Sequence, residues 1–281
     1  MTTRLIKALR RRAVKWLPWL ARFRCPVCNG HVDEFYSLDS SYAESMRVHG
    51  FAYGLADAET LNSEAYSCPS CGASDRNRLY ALFLETRLHE LFSEPPVRVV
   101  DIAPDFRLAE RFRELLRGRN VEHVYRTADF YMADVDDRVD IMDLHCYQAG
   151  SIDFFLCSHV LEHVVDDRRA MRELFRILKP GGRGILMVPI ILTAKTVTED
   201  PTVTDPAERW RRFGQGDHIR LYSKAGFLER VGEAGFEVEQ LNRESFVGDA
   251  FERCGISAGS VLYVVRKPNP LQSRSTLVSS T

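Results

Sequence analysis

No stretch of this sequence is apolar for long enough to span a bilayer or to form the core of a secretion signal, so the expected compartment is the cytoplasm. Net charge is also nearly missing. The 38 basic and 39 acidic residues leave a formal −1, which excludes attraction to a polyanion by bulk electrostatics alone. No internal repeat is present, which sets aside solenoid architectures. Acids are absent from residues 1–24, where basic side chains from Arg4 to Arg24 alternate with apolar ones and with Trp16 and Trp19. That composition describes a basic amphipathic segment fit for peripheral contact with the inner face of an anionic membrane. The competing reading is a helix packed on its own domain, or a frayed end. Apolar residues, by contrast, are plentiful. At 45% hydrophobic content, 281 residues can bury a full core, enough for one sizeable domain with an accessory piece.

Four of the seven cysteines form two matching knuckles, Cys25-Pro-Val-Cys28 and Cys68-Pro-Ser-Cys71, each followed closely by a glycine. Two such pairs suit tetrahedral zinc, because each short turn points both thiolates at one ion. Four thiolates close the coordination sphere, so the expected zinc is structural. A disulfide framework is disfavoured in a reducing compartment, and neither pair has the context of a redox motif. The segment between the knuckles is longer than in compact zinc ribbons and should carry its own hairpin or helix. Residues 25–92 are therefore expected to form a small zinc-ribbon-like module with a linking helix. Cys146, Cys157 and Cys254 read as ordinary buried or half-buried thiols.

Beyond Pro95-Pro96 the pattern alternates between strand and helix. Strands are predicted at 97–103, 122–130, around Val139-Asp140-Ile141, at 151–158 and at 183–190. Helices are predicted at 107–118 and 166–178. This alternation implies an α/β fold with a doubly wound parallel sheet. The last two strand patterns, 235–242 and 260–268, lack a full helix between them and suggest a closing antiparallel pair. The main domain is expected over 93–268, with a tail over 269–281 whose composition suits disorder.

One segment carries a resemblance: "GSIDFFLCSHVLEHVVDDRRAMRELFRILKPGGRGILMVPI" is similar to the fourth-to-fifth-strand region of class I S-adenosylmethionine-dependent methyltransferases. The likeness covers roughly 97–267. The cysteine knuckles, "SDRNRLYALFL" and the later "ERWRRFGQGDHIRLYS" resemble a bacterial subgroup with an N-terminal zinc module. The resemblance implies a Rossmann-like seven-stranded sheet with an antiparallel last strand. It implies S-adenosyl-L-methionine as cofactor, bound outside the carboxyl ends of the parallel strands, where ligands of open α/β sheets sit. Carried over by position, the cofactor residues are Asp101, Ala103 and Pro104 after strand one, Asp129 after strand two, Asp140 and Ile141 after strand three, and Ser158 and His159 after strand four. The loop Asp101-Ile102-Ala103-Pro104-Asp105 departs from the family by lacking glycine, and with it easy access to positive φ. Taken singly, a strand-end aspartate is more often a cap or turn residue than a ligand contact. A dehydrogenase is disfavoured, since no GxGxxG follows strand one.

Methyl transfer to a hydroxyl profits from a base, and histidine is the natural candidate. His159, His163 and His218 are candidates, with bracing the loop or capping the helix as the alternative role for the first two. The insertion at about 191–223 is too long for a plain connector and is expected to act as a lid. In it His218 is the expected base, with His163 a further catalytic candidate, and Arg220 the expected clamp on the acceptor. Arg209, Arg211 and Arg212 are further cations for an anionic acceptor, or a solvated face. The acceptor expected is a small or lipid-linked molecule, such as a glycan or natural-product hydroxyl. Two alternatives stay open. One is an RNA methyltransferase docking through its zinc module, with Arg76 and Arg78 on phosphates. Against it stands Ser158-His159-Val160-Leu161 where an Asn-Pro-Pro-type tetrad would be expected. The other is a non-catalytic scaffold that has kept the fold.

Overall fold

The computed structural model describes residues 21–92 and 95–270. Most of the basic segment and nearly all of the expected tail lie outside the described residues. The module begins with two short antiparallel strands, β1 (Phe23–Arg24) and β2 (His31–Val32), that carry the first knuckle. Between the knuckles runs the helix α1 (Ser40–Val48). After Cys71 comes α2 (Asp75–Leu91), capped by Ser74, whose side chain accepts from the Asn77 amide. Capping a first-turn N–H in this way removes one of the helix's unsatisfied donors.

The main sheet holds seven strands. In chain order they are β3 (Val97–Ile102), β4 (His123–Asp129), β5 (Asp137–Arg138), β6 (Ile152–Ser158), β7 (Leu178–Met187), β10 (Glu237–Leu241) and β11 (Leu262–Arg266). Their spatial order is β10-β11-β7-β6-β3-β4-β5. Strands β3 to β7 pair in parallel, and β11 runs antiparallel to both β7 and β10. The expected doubly wound sheet with its antiparallel last strand is thus present. Helices α3 (Phe106–Gly118) and α4 (Asp167–Ile177) each bury one stripe, Leu108, Ala109, Phe112 and Leu116 in the first and Ala170, Met171, Leu174 and Ile177 in the second. Phe154 in the central strand meets Phe112 at 5.6 Å between ring centroids, edge to face. A fully buried side chain of this kind stabilises the fold by about 1.5–3 kcal/mol. Gly184 is required for a close approach: a Cβ there would lie 2.5 Å from the Phe155 ring.

Two sequence expectations shift. The third strand is two residues long and ends at Arg138, so Val139-Asp140-Ile141 lies just past its carboxyl end. Strand five, predicted at 183–190, begins earlier, at Leu178, and Lys179-Pro180-Gly181-Gly182 is an irregular excursion inside β7, where the pairing steps from Ile152↔Leu178 to Phe154↔Arg183.

The insertion folds as the pair β8 (Thr198–Glu199) and β9 (Arg220–Leu221) around α5 (Pro206–Phe213), and α6 (Lys224–Glu233) follows. Trp210 packs edge-on against Tyr42 of α1 and stacks on His49. A second small core joins Ile191, Ala194, Phe213 and Leu221 to Phe51, Tyr53 and Ala58 of the segment between the knuckles. The insertion is therefore built against the cysteine module. No helix among the described residues is long and apolar enough to cross a membrane.

Candidate active site

The chain leaves β3 towards β4 and β5 on one side and returns through β6 and β7 on the other. That reversal opens a crevice beyond the carboxyl ends of the strands. A cavity of about 680 Å³ lies there. Of the residues expected to bind or react, Ala103, Asp129, Asp140, Ile141, His159 and His163 all line it. Arg209, Asp217 and Ile219 of the insertion close its outer side. A second hollow of about 550 Å³ runs along other parts of β3, β4 and β6, and its Arg126 is already paired with Asp137.

Sharp turns shape the crevice. Ala103 and His159 both adopt positive φ, +51° and +58°, directly after β3 and β6. For a residue with a Cβ this costs about 1 kcal/mol or more. The backbone pays by holding on: the Ala103 amide donates to Ala128 O and the His159 amide to Met187 O, both at 2.9 Å. Asp129 Oδ1 accepts from the amides of Tyr131 and Met132, and Asp140 Oδ1 from the amide of Met142. Both acids thus spend one oxygen on the turn role that such residues commonly play.

Other expected residues lie elsewhere. Asp101 is buried and accepts a 2.7 Å hydrogen bond from the Tyr125 hydroxyl on the adjacent strand, so it does not line the cavity. Burial pushes its carboxyl up to about 7, against the opposing pull of Tyr125 and Arg113. Pro104 is buried, and the Ser158 hydroxyl is engaged by Tyr80 of α2 at 2.8 Å. Arg220 is no acceptor clamp. It is 2% exposed, and its guanidinium donates to Leu161 O, Val164 O, Val165 O and Glu199 Oε2. Those bonds pin the loop after β6 to the insertion. Arg78 has no reach to phosphates either, being fully buried over the Phe35 ring and donating to the carbonyls of Cys254, Tyr66, Ala73 and Gly255. Arg76 instead stands beside the site, 3.4 Å from His159 Nδ1.

Behind the lip lies a cluster that the sequence did not single out by role. Glu162 is wholly buried, and no backbone amide or hydroxyl donates to its carboxylate. His159 Nδ1 lies 3.2 Å from Glu162 Oε1 and His163 Nε2 lies 3.9 Å from it. His218 sits behind His163, with ring centroids 4.8 Å apart, and is 4% exposed. The Ile219 amide donates to the Glu162 carbonyl at 3.0 Å, which fixes His218 against this loop. Burial and then Arg76 hold His159 down at about 4, so its imidazole is neutral at pH 7. Burial also lowers His218, against the attraction of Glu162. An acid bracketed by two histidines within one turn was the available signal for Glu162.

The sulfurs of Cys25, Cys28, Cys68 and Cys71 all lie within 4.8 Å of one another. Cys25 and Cys71 are 3.7 Å apart and Cys28 and Cys68 are 4.0 Å apart. Tetrahedral bonds of about 2.3 Å to one ion place sulfurs at about this spacing, so the donor set fits zinc.

Comparison with known proteins agrees with this geometry. Residues 67–241 match a family described as a methyltransferase domain. The 27-O-demethylrifamycin SV methyltransferase of Amycolatopsis mediterranei is 31% identical over 155 residues, 50% of this chain and 54% of that protein. The ubiquinone biosynthesis O-methyltransferase of Xanthomonas axonopodis pv. citri is 31% identical over 87 residues, 31% of each. The chain therefore spans about half or less of these relatives. Among solved structures, a Burkholderia thailandensis 1,6-didemethyltoxoflavin-N1-methyltransferase superposes with a TM-score of 0.44 at 14% identity, covering 69% of this chain and 78% of that one.

Proposed function

The chain belongs to the methyltransferase domain family, and from that premise we propose that it transfers a methyl group from S-adenosylmethionine to a hydroxyl of a small or lipid-linked molecule. The observation that carries this reading is the cavity at the strand reversal, with two aspartates on one side and a histidine lip on the other. The lining suits a nucleoside. Asp129 and Asp140 line the cavity, which supports a reading in which Asp129 takes the ribose hydroxyls and Asp140 the adenine amino group, with Ile141 and Met142 against the ring. Both curated relatives are named for methylation, one of them on oxygen, which supports an oxygen acceptor.

When bound, the cofactor supplies the activated methyl group through its sulfonium. The chain's own task is to place the acceptor and take its proton. His159 is assigned that proton at Nε2. It lines the cavity, it is neutral, and its Nδ1 faces the Glu162 carboxylate, which favours the imidazolium that forms. Arg209 and Asp217 hold the acceptor from the insertion side. The four cysteines bind zinc as a structural ion that fixes the start of α2, and through Tyr80 and Arg76 the loop after β6. The lipid-linked form of the acceptor rests on the basic segment 1–24, residues 1–20 of which lie outside the described structure.

The test is mass spectrometry of cell-extract fractions incubated with the protein and deuteromethyl-labelled cofactor. A labelled product is expected, its yield lowered about 100-fold by His159→Asn, in line with the loss of a general base. Asparagine tolerates the positive φ at this position. Absence of any labelled product, or full activity in the variant, overturns the reading.

A further inference from the structure

We propose that Glu162, His163 and His218 form a second metal site, which takes a divalent first-row transition ion at the acceptor end of the cavity. Each offers a ligand atom, and these atoms lie within 4.8 Å of one another. Two imidazoles and one carboxylate are a donor set for such ions, and they leave coordination positions open. The site is distinct from the four cysteines in both position and chemistry, since it contains nitrogen and oxygen donors and no thiolate.

Three observations carry the assignment. Glu162 is 0% exposed, Oε2 has no hydrogen-bond donor, and the ring nitrogen nearest Oε1 is His159 Nδ1 at 3.2 Å. A buried carboxylate with so few donors is costly, by several kcal/mol, unless a cation compensates it. His218 Nδ1 is likewise buried and without a partner. His163 Nδ1 lies 3.3 Å from the Asp217 carbonyl, which leaves Nε2 on the side of Glu162. A ring N–H donated to a backbone carbonyl, with the other nitrogen turned inward, is the usual arrangement behind a metal-ligating histidine.

The ligands come from two parts of the chain. Glu162 and His163 belong to the loop after β6, and His218 belongs to the insertion, so an ion would tie the two together. Of the three ligands only His163 lines the cavity, so an acceptor would reach the ion's open positions from the His163 side. An acceptor with two neighbouring oxygens, such as a vicinal diol, is the class best suited to fill them. A metal-bound hydroxyl loses its proton more readily, which would ease the task assigned to His159. This use of the ion rests on the function proposed above; its binding does not.

The experiment is a titration with Co²⁺ of protein carrying one equivalent of zinc, held by the four cysteines, in the absence of S-adenosylmethionine and of any acceptor. The weak visible bands of nitrogen and oxygen ligation report the new site, and metal counting reports the stoichiometry. One equivalent of Co²⁺ is expected, with affinity lowered at least tenfold in His163→Ala and in Glu162→Gln. The His163 side chain is 34% exposed, so its variant should melt like the parent and keeps the test valid if Glu162→Gln folds poorly. No cobalt bound beyond the zinc site, or unchanged binding in a folded His163→Ala protein, overturns the proposal. Because no methyl donor is present, either outcome leaves the methyltransferase reading to its own test.

Discussion

The seven-stranded sheet and the module-plus-insertion half are held together in different ways. The sheet spreads its cohesion over many apolar side chains from β3, β6, β7 and β11, most of them fully buried. The other half has only a small core around Ile191, Phe213 and Leu221, and it adds point fastenings. These are the four-cysteine cluster and two buried arginines, Arg78 and Arg220, whose guanidiniums donate to several loop carbonyls each. Where apolar area is short, one arginine with five donors can satisfy carbonyls that no strand or helix reaches. The lesson is one of concentration: damage to the sheet should be graded, and damage to a fastening should be abrupt.

The largest effect is expected from Cys68→Ser. Loss of the ion should unfold residues 25–92 and slacken the site through α2, since structural zinc contributes directly to folding. Metal analysis and thermal melting check it; a metal-free protein with an unchanged melt would place the module's cohesion in its side chains. Next comes Arg220→Met, which leaves the carbonyls of Leu161, Val164 and Val165 without their donor, while Asp167 keeps Arg230 and Tyr222. A loss of about 3–5 kcal/mol is expected in chemical denaturation, the sum for several buried carbonyls left unpaired.

Asp101 gives the sheet a pH dependence of known sign. Its folded value of about 7 lies above the ordinary 3.8, so the folded chain keeps a proton that the unfolded chain has released. Stability should therefore fall as pH rises from about 4 to about 7 and level off above, by up to about 4 kcal/mol. Asp101→Asn should remove that slope, as read by urea midpoints across this range. The smallest effect belongs to Ile185→Val in β7, fully buried, at about 0.5–1.5 kcal/mol. If this trim costs as much as Arg220→Met, the contrast between the halves fails.

Much of the sheet was legible because runs such as Phe154-Phe155-Leu156 cannot be placed anywhere but in a core. The third strand was misplaced by a few residues, since a two-residue strand leaves almost no pattern. At the site, position along the chain located Ala103, Asp129, Asp140 and His159, all at strand ends. Ala103 takes positive φ without being glycine, which a residue's identity does not announce. Arg78 and Arg220 looked like exposed cations because the carbonyls they hold are scattered in sequence, from Tyr66 to Gly255 for the first. Glu162 went unassigned because its significance depends on His218, brought near only when β9 lies against the loop after β6.

The central claim, a nucleoside site at the strand reversal, is tested most directly by calorimetric titration with S-adenosylmethionine. One equivalent should bind, and Asp129→Ala and Asp140→Ala should each weaken it at least tenfold, as expected for a lost hydrogen bond to a charged group. Absence of binding by the intact protein, or affinity untouched by both substitutions, would contradict it.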